Sequence, residues 1–218
     1  PEEHRRLVLQ AAWIDPAFMR NKLALDLASA ADTLAPRSGF GALAFNGDVQ
    51  GLYTVIERVD RLYLRRQDLN PDGNVYKAVS HTANWAAKAE PLAGFEQKVN
   101  QDNPTDDLGE LLDALSHTEL THQAFEASVA PLLDLDRFIS WQIVHTFVMN
   151  DDTFSKNYYL FHDLDAPAGT DPARFDVISW DADAVFGVGW DGTPRSTDRD
   201  AWHGTDAFAP RLLAIPHY

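Results

Sequence analysis

The chain has 218 residues, of which 33 are acidic, 18 are lysine or arginine and none is cysteine. The missing cysteines exclude disulfides, zinc thiolates and thiol catalysis, and the excess of acid argues against a partner held through a nucleic-acid backbone. Apolar residues make up 45% of the chain, enough for a packed core, but no apolar run approaches the length of a membrane span.

The N-terminal part of the sequence predicts a helix followed by a hairpin. Apolar side chains, Leu23 and Leu27 among them, recur at helical spacing over residues 16–31. Residues 39–59 predict the hairpin, because alternating apolar residues flank Asn46-Gly47. This dipeptide tolerates the positive φ angles of a tight strand reversal.

Shorter elements follow, first a helix and a strand, then a helical region that carries two more strands. The predicted helices cover residues 60–66, 105–115, 121–134, 135–150 and 208–215, and the predicted strands cover 74–80, 157–163 and 174–181. Thr105 is the expected N-cap of its helix. The helix over 135–150 is apolar nearly all round, as in a buried helix.

These elements predict an α+β fold that forms one domain over residues 1–218. We expect two lobes, a β-rich N-terminal lobe over 1–100 and a mainly helical C-terminal lobe over 101–218. The last two strands would form a hairpin in the C-terminal lobe, at the edge of the cleft between the lobes.

Polar side chains gather at the ends of these last two strands. Asp152 precedes the first strand, Asn157 begins it and Asp181 ends the second, with Asp183 close behind. Taken singly, each residue is also an ordinary turn former. Together they offer the oxygen ligands that Mg²⁺ prefers, plus a carboxylate that can accept a proton from an attacking hydroxyl. The pattern is typical of phosphoryl transfer.

The sequence resembles the CotH kinase family, of the spore coat protein H type, which has an atypical protein-kinase-like fold. Six segments carry the resemblance in the family's order: DPAFMRNKLALDLA, APRSGFGALAFNGDVQGLYTVIERVD, NVYKA, FEQKVN, NDDTFSKNYYLF and WDADAVFG. The resemblance implies an enzyme that uses ATP and Mg²⁺ or Mn²⁺ to phosphorylate serine on a protein substrate. It also implies an exported, cell-surface or spore-associated setting.

The resemblance implies roles for the acidic and amide side chains of the last two segments. Asp152 would be the catalytic base, and Asn157 and Asp181 would bind the metal ion. Asp183 would be a second metal ligand or an outer partner of the first. Lys156 would assist the transferred phosphate or face solvent.

The resemblance also implies a nucleotide-binding set in the first hundred residues. Lys77 would pair with the nucleotide phosphates, and an acidic residue would tether it, with Glu57 preferred slightly over Glu96. The sequence has no glycine-rich phosphate loop of the usual kinase spacing, and the hairpin with Gly47 and Gly51 would take its place.

Two other functions stay open at this point. A kinase-like domain without catalysis would serve as a surface or adhesion module, and kinase-like folds that bind the nucleotide reversed transfer AMP instead of phosphate. The chain lacks an Ala-Pro-Glu element and ends soon after WDADAVFG, so we expect that part of the C-terminal lobe is missing. The oligomeric state and the protein substrate are left open.

Overall fold

The computed structural model describes residues 6–117, 119–166, 173–196 and 208–218. The strands in these ranges are β1 (Leu7–Gln10), β2 (Ser38–Phe45), β3 (Asp48–Glu57), β4 (Asn74–Ala78), β5 (Phe95–Val99), β6 (Tyr158–His162) and β7 (Asp176–Ser179). The α-helices are α1 (Arg20–Ala30), α2 (Arg61–Arg66), α3 (Asp106–Ser116), α4 (His122–Val129), α5 (Leu135–Phe147) and α6 (Phe208–Leu213), and a 3₁₀ turn covers His81–Ala83.

The first sheet contains three antiparallel strands in the order β1-β3-β2. The β2–β3 hairpin is the predicted one, and its turn residues Asn46 and Gly47 both have positive φ, 51° and 90°, as a tight hairpin turn requires. Strand β1 was not predicted. It pairs with the second half of β3, Leu7 opposite Glu57 and Gln10 opposite Thr54.

The second sheet is antiparallel throughout, in the order β5-β4-β6-β7. Strand β4 pairs directly with β6, Asn74 opposite His162 and Ala78 opposite Tyr158. Strands from both sides of residue 100 therefore share one sheet. The mixed α and β composition is confirmed, whereas a two-lobed kinase-like arrangement is not, and the lobe boundary stays a prediction.

An aromatic core holds the loop between α5 and β6 in place. The rings of Trp85 and Tyr158 stack at 4.7 Å, and Phe138 meets Trp85 edge-on at 5.3 Å. The indole nitrogen of Trp85 also donates to the carbonyl oxygen of Phe154, at 2.7 Å. Because these three rings are buried, the loop that contains Asp152 packs against a close-packed aromatic core.

The helices depart from the sequence predictions in their details. The buried stripe of α1 consists of Asn21, Ala24, Leu25 and Ala28, whereas the expected Leu23 and Leu27 are exposed. Polar Asn21 thus takes a core position of this helix, which the apolar spacing alone did not indicate.

One expectation for the later helices holds in part and another was wrong. Thr105 is the N-cap residue of α3, as predicted, but its side chain makes no capping hydrogen bond. Helix α5 is not buried all round, since Ile143 and Phe147 are 60% and 74% exposed. In the part of the chain that the structure describes, no helix is both long and apolar enough to cross a bilayer.

Candidate active site

The loop between α5 and β6 holds Asp152, Lys156 and Asn157 together. The amide nitrogen of Asn157 donates to the backbone carbonyl of Asp152 at 2.8 Å and to its carboxylate Oδ2 at 3.0 Å. The Lys156 ammonium donates to the same Oδ2 at 2.5 Å. Asn157 has a φ of 60°, a left-handed conformation that asparagine accepts more readily than most residues.

Strand β7 brings Asp181 to the same end of the sheet. Strands β6 and β7 are antiparallel, with Tyr158 opposite Ser179, so the residue before β6 and the residues after β7 lie at one edge. Asp181 has a φ of 53°. Residues in left-handed conformations therefore flank both strands, Asn157 before β6 and Asp181 after β7.

Two side chains that were not assigned to the site from the sequence reach the acidic residues from the N-terminal part of the chain. The amide nitrogen of Gln10 donates to Asp181 Oδ1 at 2.9 Å and to Asp183 Oδ2 at 3.1 Å. Asn21 donates to Gln10 and accepts the backbone N–H of Ala182 at 3.1 Å. The one signal in the sequence was an asparagine within the apolar stripe of α1.

Burial and mutual repulsion act on the carboxyl groups of this site. Burial raises the pKa of Asp183 to about 7, and the neighbouring charges of Asp181 and Asp152 add to the rise. Burial also raises the pKa of Asp181, which the Lys77 ammonium opposes. The folded protein thus keeps negative charge here at an energetic cost, which a bound cation would lower.

Lys77 lies on β4, beside the strand pair that carries the acids. Its ammonium is 5.4 Å from the centre of the Trp180 ring and 5.9 Å from that of Tyr159. Burial lowers the pKa of Lys77, and the charge of Asp181 opposes the change. The lysine and Asp181 therefore share one electrostatic environment. Lys77 faces Glu96 across the β4–β5 pair.

Glu57, the acid preferred as the tether of Lys77, has other partners in the structure. The Glu57 carboxylate is buried and pairs with the guanidinium of Arg66, and it also accepts the backbone N–H of Arg37 at 3.1 Å. Glu96 lies directly opposite Lys77 and acts on its charge less than Asp181 does, and its carboxylate pairs with Lys98. The acidic tether of Lys77 therefore stays a prediction.

No described contact connects Gly47 or Gly51 with the acidic residues Asp181 and Asp183. Both have positive φ, and a Cβ atom at either position would meet nothing within 4 Å. Among the described residues, the hydrogen bonds that reach Asp181 and Asp183 from the first sheet come from Gln10 in β1. A nucleotide contact by the hairpin stays a prediction.

A chain of buried hydrogen bonds links the Asp152 loop to β7. His145 contacts Ser179 Oγ through Nε2 at 3.1 Å and Asn150 Nδ2 through Nδ1 at 3.0 Å. Asn150 in turn accepts the backbone N–H of Asp152 at 3.1 Å. Because Asn150 donates to Nδ1, the imidazole must be neutral with its proton on Nε2. Burial also favours the neutral imidazole, since it lowers the pKa of His145 to about 3.

We predict that His145 makes the protein less stable in mild acid. Its pKa is about 3 when folded and about 6.5 when unfolded, so the unfolded chain takes up the proton first. The free energy of unfolding should fall as pH drops from about 6.5 towards 3, by about 2 kcal/mol at about pH 5 from this group alone. Urea unfolding of the wild type and His145→Gln, at about pH 7.5 and about pH 5, measures the difference. An equal loss in both proteins would contradict the prediction.

The donor atoms at this edge suit a hard divalent cation. Asp181 and Asp183 supply carboxylate oxygens, and Asn157 uses its amide nitrogen for Asp152, which leaves its carbonyl oxygen as the metal-binding atom. Within the described ranges, no three His, Cys, Asp or Glu side chains form a complete metal site. Water or nucleotide phosphates would have to complete the coordination, as is usual for Mg²⁺.

The structure is therefore that of an α+β protein with a cluster of acidic and amide side chains at one end of the β6–β7 pair, and with Lys77 on the neighbouring strand β4. The chain belongs to the CotH kinase protein family, whose family model matches residues 1–218. It is 29% identical over 217 residues to the inner spore coat protein H of Bacillus subtilis strain 168. That match covers 96% of this chain but only 58% of the relative.

Proposed function

We propose that this protein transfers the γ-phosphate of ATP to a serine hydroxyl of a protein substrate, with Mg²⁺ or Mn²⁺. One observation carries the proposal most: Asp152 and Asn157 contact each other directly at the edge of the sheet where Asp181 follows the paired strand. Membership of the CotH kinase protein family supports the same reaction class.

Asp152 is the group that would take the proton of the serine hydroxyl. Lys156 and Asn157 both donate to its Oδ2, so Oδ1 is the oxygen we assign to the substrate. As the serine oxygen bonds to the γ-phosphorus, the bond to the β,γ-bridging oxygen breaks and ADP leaves. The serine proton goes to Asp152, and general-base help of this kind contributes about 10²- to 10⁴-fold.

The remaining residues would bind and orient the nucleotide. Asn157, Asp181 and Asp183 would hold the metal ion, which supplies charge neutralisation for the phosphates when bound. Lys77, on β4, interacts electrostatically with Asp181 and would pair with phosphate oxygens. Lys156 is bound to Asp152, so any role at the transferred phosphate requires it to leave that ion pair.

The reaction is tested by mass spectrometry of a serine-containing acceptor after incubation with ATP and Mn²⁺. The proposal predicts a gain of one phosphate group on serine, lost when the metal is chelated. A gain of AMP would show transfer from the reversed nucleotide. No modification, together with no thermal stabilisation by ATP and metal, would contradict the proposal and favour a binding module.

The relative's name suggests the setting of this protein. It is called an inner spore coat protein, and we propose a spore-associated location for the present chain too. Coat polypeptides rich in serine are therefore the first acceptors to try. The same name gives no oligomeric state, which gel filtration would establish separately.

A further inference from the structure

A short relay of amides joins the N-terminal elements to the acidic loop after β7. Gln10 ends β1 and bonds to the carboxylates of Asp181 and Asp183. Asn21, in the first turn of α1, is 97% buried and lies between Gln10 and the backbone of Ala182. The relay therefore contacts three consecutive residues of the loop.

The direction of each amide follows from a single unambiguous donor. The backbone N–H of Ala182 can only donate, so the Asn21 side chain must present its oxygen there. This turns the Asn21 nitrogen to the Gln10 oxygen, and the Gln10 nitrogen then faces the two carboxylates. Reversing either amide would set two donors or two acceptors against each other.

We infer that Gln10 and Asn21 are positioning residues for the metal ion of the proposed kinase reaction. Gln10 binds one oxygen of each carboxylate, Oδ1 of Asp181 and Oδ2 of Asp183, so it holds the two acids side by side, with Oδ2 of Asp181 assigned to the cation. Asn21 fixes the orientation of Gln10. The inference rests on the proposed function, because it assumes that these two acids are the metal ligands.

The relay also explains why a buried asparagine occupies the core stripe of α1. Outer hydrogen-bond partners that orient metal ligands typically change metal affinity by about 10- to 100-fold when they are removed. Gln10 is such a partner, because it bonds directly to both acids, and Asn21 acts through Gln10. Because Gln10 belongs to the first sheet, the relay also ties that sheet to the metal loop.

The test is Mn²⁺ binding, followed through the electron paramagnetic resonance signal of the free ion. We expect Gln10→Leu and Asn21→Leu each to weaken binding by about 10- to 100-fold while urea unfolding shows that both remain folded. Gln142→Leu is the control, since Gln142 is an amide on α5 that is as buried as Asn21 and contacts Thr146. Its affinity should stay at the wild-type value.

Asp181→Ala distinguishes a failure of this inference from a failure of the proposed function. If Asp181→Ala abolishes Mn²⁺ binding while Gln10→Leu binds like the wild type, the relay has no positioning role. If Asp181→Ala also binds like the wild type, the proposed metal site itself is wrong. Should Gln10→Leu not fold, Gln10→Asn keeps an amide too short to reach both acids, and wild-type affinity in that variant would overturn the inference.

Discussion

Asp181→Asn is expected to reduce phosphate transfer by about 10³-fold or more, through loss of the metal-bound nucleotide. The substitution keeps the size of the side chain and an oxygen that can accept from Gln10, and removes the charge. Since burial raises the pKa of Asp181, that charge is costly in the folded state, and its removal should not lower stability. The variant should therefore be folded, inactive and insensitive to metal.

Isothermal titration with an ATP analogue, with and without Mn²⁺, separates these effects. Asp26→Asn is the control, because Asp26 lies on the exposed face of α1 and pairs only with Lys22 among the described contacts. It should keep both activity and metal-dependent binding. Retention of metal-dependent nucleotide binding in Asp181→Asn would mean that another group holds the ion.

Asp152→Asn should lower turnover by about 10²- to 10⁴-fold and leave metal-dependent nucleotide binding close to the wild-type value. The asparagine oxygen can still accept from Lys156 and Asn157, so the loop should keep its shape. It cannot take the serine proton. The expected signature is a fall in kcat with little change in the KM for ATP, measured from initial rates.

The neighbouring acid provides a matched control for this variant. Asp151 pairs with Arg195 at 2.9 Å, and its backbone N–H donates to the carbonyl of Ala184. Both contacts are with the segment after β7. Asp151→Asn should retain turnover within a few-fold. Equal losses in Asp151→Asn and Asp152→Asn would indicate that loop disruption, and not loss of a base, causes the effect.

Local sequence patterns were sufficient for much of the architecture around this site. The Asn46-Gly47 turn, the helix-rich middle and the antiparallel pair β6–β7 all follow from alternation, helical spacing and turn chemistry over short windows. The ends of β6 and β7 then indicated Asp152, Asn157 and Asp181. The structure brings the first two into direct contact and sets the third after the paired strand.

Features that depend on distant parts of the chain were missed. Nothing in the local pattern of β4 indicates its pairing with β6, whose residues lie 80 to 88 positions after their partners in β4. This pairing joins the two predicted lobes in one sheet. The pairing of Glu57 with Arg66 and the position of Glu96 opposite Lys77 were not indicated either, since cross-strand neighbours depend on register. Gln10 lies in β1, which was not predicted. The apolar pattern of α1 did not indicate that Asn21 is buried and contacts the loop after β7.

The most direct test is a crystal structure with Mn²⁺ and a non-hydrolysable ATP analogue, with the ion located by its anomalous scattering. We predict a manganese peak bound by side-chain oxygens of Asp181, Asp183 and Asn157 and by the nucleotide phosphates, with Asp152 open to a hydroxyl beside the γ-phosphate. A nucleotide bound elsewhere, or a manganese peak away from Asp181, would contradict this prediction.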